Sequence, residues 1–257
     1  MIKNLLTHPL TRGRDLDSPE ITQIHKKIIT SKPFLKRIYL EWYKELLTEI
    51  PLNVEGDVLE LGSGGGFFKK IFSDVISSDV IFIPRLDVIL DACHLPFSNN
   101  IIRAILMTNV THHLNHVESF FQEATRCVVP GGVIAMIEPW VTSWSRIVYS
   151  YFHHELFNSD IQDWLIPQGG PLSSANSALP WIIFGRDREK FNSLFPEWEI
   201  QKVELMMGFR YFVSGGVSLR SLMPIWSYKL WKSIEEGLQS HMDRLAMFAK
   251  IVIKRNF

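Results

Sequence analysis

The sequence predicts an α/β protein built on parallel strands. Short apolar runs recur along the middle of the chain, as buried parallel strands require. The first of them, Val58–Leu61, leads directly into a glycine-dense turn, Gly62–Gly66. An amphipathic pattern over Val117–Cys127, typical of a surface helix, separates two later runs. Strand, helix and strand therefore follow one another, which is the order found in α/β folds.

The composition is that of a globular protein with a large core. Of 257 residues, 46% are hydrophobic and 21% are charged. Lys and Arg together number 27, as do Asp and Glu, and this neutral balance argues against a nucleic-acid partner. Cys93 and Cys127 lie far apart in apolar surroundings. We expect both to be reduced thiols, which favours a cytoplasmic location.

We find neither a signal-peptide pattern nor a membrane-spanning pattern in the two segments where one could be expected. Met1–Asp17 carries charges throughout and lacks the apolar run of a signal peptide. The longest uncharged stretch, Trp164–Gly185, is interrupted by prolines and glycines. We therefore expect Trp164–Gly185 to be a loop.

Prolines mark the beginnings of two helices that precede the first strand. Ser18-Pro19-Glu20 combines an N-cap residue, a proline at the first helical position and an acid in the first turn. This pattern predicts a helix that continues to about Ile29. A second helix begins at Pro33, carries apolar residues at helical spacing and ends at Pro51. We assign residues 1–54 to an N-terminal helical cap and residues 55–257 to the main domain.

Further apolar runs predict the remaining strands. They are Val75–Asp79, Val88–Leu90, Ile101–Met107, Val133–Ile137, Trp198–Met206 and Ala246–Arg255. A short helix, Phe67–Phe72, is expected after the glycine turn. Ile81–Arg85 is too short, and too interrupted by Pro84, for a crossover helix, so the second and third strands should be joined by an abbreviated connection.

The spacing of the glycines restricts the ligand that the first turn can hold. A dinucleotide fingerprint counted from Gly62 needs a small residue where Phe67 stands. No Gly-Lys-Ser/Thr follows, which excludes a P-loop, and Ser63 lacks the preceding glycine of a nucleophile elbow. The pattern that fits is acid-x-Gly-x-Gly-x-Gly, beginning at Glu60. An ordinary tight turn is the alternative.

Three motifs in this order resemble the class I S-adenosylmethionine-dependent methyltransferases, and in particular the type 11 methyltransferases. The first is the glycine pattern that begins at Glu60. The second is Asp91-Ala92 followed by Leu95-Pro96-Phe97. The third is Arg126-Cys127-Val128-Val129-Pro130-Gly131-Gly132, with one substitution at its second position. The resemblance covers about residues 55–140.

The resemblance implies a fold and a reaction. The fold is a Rossmann-like, seven-stranded, mostly parallel sheet whose last strand runs antiparallel between strands five and six. To this fold the chain adds the helical cap and a long aromatic insertion, which comes in two parts, at about residues 141–197 and 208–243. The reaction is methyl transfer from S-adenosyl-L-methionine to an acceptor by in-line displacement, which depends mainly on alignment of the reacting atoms.

The resemblance also implies which residues bind the cofactor. Asp79, at the end of the second strand, would accept hydrogen bonds from the ribose hydroxyls, and Asp91 would accept from the adenine amino group. The Asp91 turn has an alternative interpretation, as a simple Asp-capped turn at a strand end. The expected cofactor-binding residues are Glu60, Gly62, Ser63, Gly64, Gly66, Asp79, Asp91, Ala92 and Asn109.

Polar residues after the strands are the catalytic candidates. His112 and His113 follow the fourth strand at the edge where ligands bind in open α/β sheets, and histidine titrates near neutral pH. Glu138 follows the fifth strand at the same edge. His153 and His154, next to Glu155, suit a polar acceptor pocket. The alternatives are a capping and packing role for the first pair and a hydrogen-bonded hinge for the second.

We expect no metal site from the sequence. His112 and His116 stand one helical turn apart, but the chain has no His-Glu-x-x-His there and no cysteine pair nearby.

The acceptor and the partners remain open at this stage. We expect a small molecule, either a sugar, a lipid-linked intermediate or a phenol- or quinone-like ring. The alternative is a catalytically silent relative that binds only the cofactor or a protein partner. Leu222–Trp231 mixes aromatic and aliphatic residues between basic margins, which suits peripheral membrane contact or, alternatively, a core or lid helix. The sequence does not indicate an oligomeric state.

Overall fold

A seven-stranded sheet forms the centre of the protein, in the order β3-β2-β1-β4-β5-β7-β6. The computed structural model describes residues 6–153, 155–166 and 169–256. Strand β7 is antiparallel to β5 and to β6, and the other pairs are parallel, which confirms the predicted fold class. The strands are β1 Asp57–Leu61, β2 Val75–Asp79, β3 Val88–Ile89, β4 Ile102–Thr108, β5 Val128–Pro139, β6 Trp198–Met206 and β7 Phe248–Arg255.

The central strands are apolar on both sides because both faces of the sheet are covered. In β4, Ala104 and Leu106 join one hydrophobic cluster, whereas Ile105 and Met107 join the other. This alternation follows from the two-residue period of a strand. The helices are α1 Pro19–Ser31, α2 Pro33–Leu47, α3 Val117–Cys127, α4 Ser143–Phe152, α5 Leu179–Trp181, α6 Arg188–Leu194, α7 Arg210–Ser214, α8 Tyr228–Gly237 and α9 Met242–Leu245.

The two N-terminal helices cover one face of the sheet. Both begin at the predicted prolines, because a proline at the first helical position loses no hydrogen bond there. Helix α2 buries Leu35, Ile38 and Trp42 in the same cluster as residues of β1, β4 and β5. It also carries Tyr39 and Tyr43 on its buried surface. The two tyrosines therefore face the end of β1, where the glycine turn lies.

Helix α3 covers the opposite face and shares its core with a segment that the sequence predicts wrongly. Phe121 of α3 packs against Phe184, at ring centroids 6.2 Å apart. Phe184 belongs to a π-helical turn, Ile182–Arg186, that continues α5. Pro180 stands in the first turn of α5 and begins a helix instead of interrupting one. The loop expected over Trp164–Gly185 is therefore helical from Leu179 onward.

Smaller differences concern the ends of elements. The helix expected at Phe67–Phe72 is only a 3₁₀ turn, Phe68–Lys70. Strand β5 begins at Val128, before the Pro-Gly-Gly motif, and β7 begins at Phe248. Among the described residues, no helix has the length and apolar character needed to cross a membrane.

Candidate active site

A cavity of about 440 Å³ opens at the carboxyl ends of β1, β2 and β4. In the sheet, β1 lies between β2 and β4, so the order in which successive strands are added reverses between β1 and β4. Ligands of open α/β sheets bind at the carboxyl ends of the strands at such a reversal. The glycine turn lines one part of the cavity, which we call the donor end after the expected methyl donor. Another part is lined by Tyr149, Tyr211 and Phe248 together with His112 and His113 of the 3₁₀ turn Thr111–His113, and we call it the acceptor end.

The glycines of the donor end have different roles. Gly62 and Gly64 adopt left-handed backbone conformations, with φ of +67° and +46°. A Cβ on Gly64 would meet only one atom within 4 Å, the carbonyl oxygen of Gly62 at 3.6 Å, so this face of the loop is open to a ligand. A Cβ on Gly65 or Gly66 would instead collide with the Lys26 backbone or the Tyr43 hydroxyl. The last two glycines therefore allow α1 and α2 to pack on the loop.

Two acidic side chains accept hydrogen bonds from the glycine turn. The Glu60 side chain accepts a hydrogen bond from the Ser63 hydroxyl at 2.6 Å. Burial raises the pKa of Glu60 to about 7. Asp79 accepts from the backbone N–H of Gly64 at 2.8 Å and from that of Ile81 at 3.0 Å. Despite the abbreviated connection to β3, Asp79 lies on the cavity wall beside the turn.

The Asp91 turn and Asn109 complete the donor end. Asp91 accepts from the backbone N–H of Cys93 at 2.8 Å, so it caps its own turn, and it also lines the cavity. Its two interpretations are thus compatible. Asn109 has a left-handed φ of +58° and donates its N–H to Ile137 of β5 at 3.0 Å. All nine residues expected to bind the cofactor line this cavity: Glu60, Gly62, Ser63, Gly64, Gly66, Asp79, Asp91, Ala92 and Asn109.

These residues fit an adenosyl sulfonium ligand. The open face at Gly64 lets a ligand approach the backbone closely, and the Asp79 carboxylate suits a vicinal diol. Leu90 and Ala92 add apolar side chains to the cavity lining next to Asp91.

A cluster of histidines and acids forms the polar part of the acceptor end. Nδ1 of His112 lies 2.7 Å from Glu138, and its Nε2 lies 3.3 Å from Glu155. His113 places Nε2 3.8 Å from Glu155. His153 contacts Glu155 through Nε2 at 2.9 Å, and the Ser177 hydroxyl donates to Glu155 at 2.9 Å. The cluster brings together three predicted histidines and two acids, while His154 lies outside the described residues.

Glu138 is fully buried and is absent from the cavity wall. It accepts hydrogen bonds from the backbone N–H groups of Val110 and Thr111, at 2.7 and 2.8 Å, as well as from His112. The expected direct contact between Glu138 and the acceptor therefore has no support in this geometry. Glu138 instead fixes the turn after β4 and the orientation of the His112 ring.

The pKa values of the two neighbouring histidines are shifted in opposite directions. Burial lowers the pKa of His112, but hydrogen bonds and charges from Glu138 and Glu155 outweigh it and raise that pKa to about 10. Burial, followed by the charge of His112, lowers the pKa of His113 to about 4. Burial opposes ionisation of Glu155, yet His153 and His112 hold its pKa well below the usual range. A charged and a neutral imidazole thus stand side by side.

The aromatic side chains that line the cavity were not predicted as site residues. Tyr39 comes from α2, Tyr149 from α4, and Tyr211 from α7. The Tyr149 hydroxyl donates to the Met247 carbonyl at 2.7 Å, and the Tyr211 ring packs on Phe248 with centroids 4.7 Å apart. Only Tyr39 and Tyr43 carry a signal in the sequence, since residues four apart share one helix face.

Comparisons with known proteins agree with this geometry. The family model described as "Methyltransferase domain" matches residues 59–136, which contain all three motifs. No curated protein sequence matches the chain significantly.

Solved structures show the same fold. A chain of the complex between the Haloferax volcanii Trm112 methyltransferase activator and a methyltransferase aligns with a TM-score of 0.54 and 11% identity, over 95% of this chain and 98% of that chain. A geranyl diphosphate methyltransferase bound to its substrate and sinefungin aligns with a TM-score of 0.51 and 14% identity, over 86% and 80%. The geranyl diphosphate C-methyltransferase from Streptomyces coelicolor A3(2) aligns with a TM-score of 0.50 and 14% identity, over 97% and 86%.

At these identities the structural likeness concerns the fold, and the family match covers the segment that builds the donor end. Residues 59–136 thus match the methyltransferase domain family, and the sheet around them has the strand order expected for a Rossmann-like methyltransferase fold.

Proposed function

We propose that this enzyme methylates a hydroxyl group on a small ring-shaped acceptor, of the phenol or quinol type. One observation carries the proposal: a single cavity contains both the open glycine turn and the histidine–glutamate cluster. Its volume of about 440 Å³ must serve donor and acceptor together, which limits the acceptor to a small molecule. The walls formed by Tyr149, Tyr211 and Phe248 favour a flat ring over a sugar or a long lipid chain.

The polar cluster supplies the chemistry that a hydroxyl acceptor needs. During transfer, the acceptor oxygen forms a bond to the methyl carbon while the bond from that carbon to sulfur breaks, and the electron pair stays on sulfur. The hydroxyl proton must leave. Nδ1 of His113 faces the Ser174 carbonyl at 3.0 Å, which only accepts, so Nδ1 carries the hydrogen and Nε2 presents a lone pair. We assign to His113 the role of proton acceptor, and to the positively charged His112 the stabilisation of the developing oxyanion.

The remaining candidates hold this pair in place. His153 and Ser177 orient Glu155, and Glu138 orients His112 from the opposite side. These contacts restrict ring rotation, which matters because methyl transfer depends on alignment.

Binding of the donor can be tested by thermal unfolding with S-adenosylmethionine and with its demethylated product. At a ligand concentration about 100 times Kd, the native state gains about 2.7 kcal/mol, which corresponds to a rise in Tm of roughly 5–10 °C for a chain of this size. The acceptor can then be sought by incubating the enzyme with methyl-labelled donor and a panel of phenols, sugars and lipid extracts. Label in the phenol fraction alone supports the proposal, whereas label confined to sugars or lipids contradicts the ring-shaped acceptor.

We further propose peripheral membrane contact through Leu222–Trp231, in an otherwise cytoplasmic enzyme. Trp226 is 79% exposed and Leu230 is 59% exposed, although Tyr228 between them is buried. Exposed apolar residues at this density suit a membrane interface. Sedimentation with anionic vesicles should recover the wild-type protein but lose the double variant Trp226→Ser, Leu230→Ser. Equal recovery of both proteins would rule out this contact.

A further inference from the structure

Three potential metal ligands converge at the acceptor end of the cavity. The ligand atoms of His112, His113 and Glu155 all lie within 4.8 Å of one another. Their side chains are 3%, 16% and 12% exposed, so all three are largely shielded from water. All three residues line the cavity.

The outer contacts of both histidines orient them as metal ligands are usually oriented. Nδ1 of His112 faces the Glu138 carboxylate at 2.7 Å, and Nδ1 of His113 faces the Ser174 carbonyl at 3.0 Å. Because each partner accepts a hydrogen bond, each Nδ1 carries a hydrogen, and each Nε2 faces Glu155. A histidine that binds a metal almost always donates its other N–H to a carboxylate or a carbonyl in this way.

The spacing of the ligand atoms suits one ion. Nε2 of His112 lies 3.3 Å from the Glu155 carboxylate, and Nε2 of His113 lies 3.8 Å from it. Ligands at about 2.0–2.2 Å from a common ion stand roughly 3–3.5 Å apart. The three ligand atoms lie within 4.8 Å of one another, so His113 has to move inward before all three can bind one ion.

We propose that His112, His113 and Glu155 bind one divalent transition-metal ion, whose open coordination positions face the acceptor. Two imidazoles and one carboxylate form the ligand set of several catalytic zinc sites and of non-haem iron sites. The inference rests on the proposed function in one respect, since the ion would hold the acceptor hydroxyl oxygen and lower its pKa. A bound ion would occupy Nε2 of both histidines, so it would replace His113 as proton acceptor and His112 as the stabilising positive charge, and the acceptor proton would leave to water. The sequence shows no metal motif because Glu155 comes from the insertion after β5, far along the chain from the two histidines.

The test uses tag-free protein, because a histidine tag would itself bind the probe. Wild-type protein is stripped with EDTA, incubated with Zn²⁺, desalted and analysed for zinc by mass spectrometry, and zinc affinity is measured by calorimetry. We expect about one ion per chain. Glu155→Gln and His113→Gln should each weaken zinc binding by about 100-fold or more, and Glu138→Gln by roughly 10–100-fold through the orientation of His112.

His241→Gln serves as the matched control, because His241 is an exposed histidine that contacts the neighbouring Ser240. Its zinc content should equal that of the wild type. Binding of the demethylated product should be unchanged in each variant, which shows that the protein is folded. If Glu155→Gln does not fold, His113→Gln provides the same comparison.

No retained zinc in the wild type, or equal zinc in the wild type and in a folded Glu155→Gln or His113→Gln variant, would overturn the metal site. This result is independent of the proposed function: zinc retention without methyl transfer to any phenol would contradict the acceptor class only. Methyl transfer by a protein that retains no zinc would contradict the ion only.

Discussion

The two ends of the cavity are built in opposite ways. The donor end consists mainly of backbone from one contiguous stretch, Gly62–Gly66, supported by acids at the ends of β1 and β2. The acceptor end consists of side chains from separate segments, including the turn after β4 and helices α4 and α7. The donor end therefore depends on backbone conformations that few residues tolerate, whereas the acceptor end depends on the orientation of individual side chains. Substitutions at the two ends should therefore separate donor affinity from turnover.

The largest effect is expected for Gly64→Val. Valine tolerates the left-handed φ of +46° poorly, and its branched side chain would occupy the open face of the turn. Affinity for the demethylated product, measured by calorimetry, should fall by about 1000-fold or more, since roughly 4 kcal/mol of contact and strain is involved. Gly237→Val is the matched control, because a Cβ there meets no atom within 4 Å and the backbone is not left-handed. Normal affinity in a folded Gly64→Val protein would remove the donor role of the turn.

Glu138→Gln should affect stability most. It removes a fully buried charge that accepts two backbone N–H groups and faces His112. Loss of one member of a buried ion pair typically costs about 3 kcal/mol, measurable by urea unfolding. Asp243→Asn, which removes the charge of an exposed pair with Arg244, should cost about 0.5 kcal/mol or less. Similar losses in the two variants would contradict the positioning role of Glu138.

His113→Gln tests the acceptor end alone. Removal of a positioned proton acceptor should lower kcat by about 100-fold, while affinity for the demethylated product stays within about two-fold. The exposed His241→Gln variant should retain full turnover. A His113→Gln variant with normal kcat, or with donor affinity reduced as strongly as kcat, would show that the two ends are not separable.

The smallest effect is expected for Asp91→Ala. Asp91 caps its own turn and lines the donor end. Loss of one hydrogen bond to the ligand should weaken donor binding about 10-fold and leave Tm nearly unchanged. Unfolding of the variant would instead mean that the capping role dominates.

The donor end could be predicted from the sequence because its information is local. The spacing of Glu60, Gly62, Gly64 and Gly66 specifies a strand followed by a left-handed turn, and the structure places both there. The position of β7 between β5 and β6 came from the family resemblance, since no pattern within Phe248–Arg255 specifies its neighbours.

The acceptor end could be predicted only in part. His112 and Glu138 follow adjacent parallel strands, so their proximity across 26 residues was foreseeable, but the burial of Glu138 was not. The contact of His113 with Ser174 spans 61 residues and depends on how the insertion folds back. The helical turn after Pro180 was missed for the same reason: burial against Phe121 and its neighbours stabilises a conformation that the local composition does not favour.

A crystal structure with S-adenosylhomocysteine would test most directly whether the turn after β1 binds the methyl donor. We expect the amino-acid tail of the ligand to lie against Gly62–Gly66, its ribose hydroxyls to lie at Asp79, and its sulfur to face His112 and His113. Binding of this ligand elsewhere, with the space beside Gly64 filled by protein side chains, would contradict this expectation.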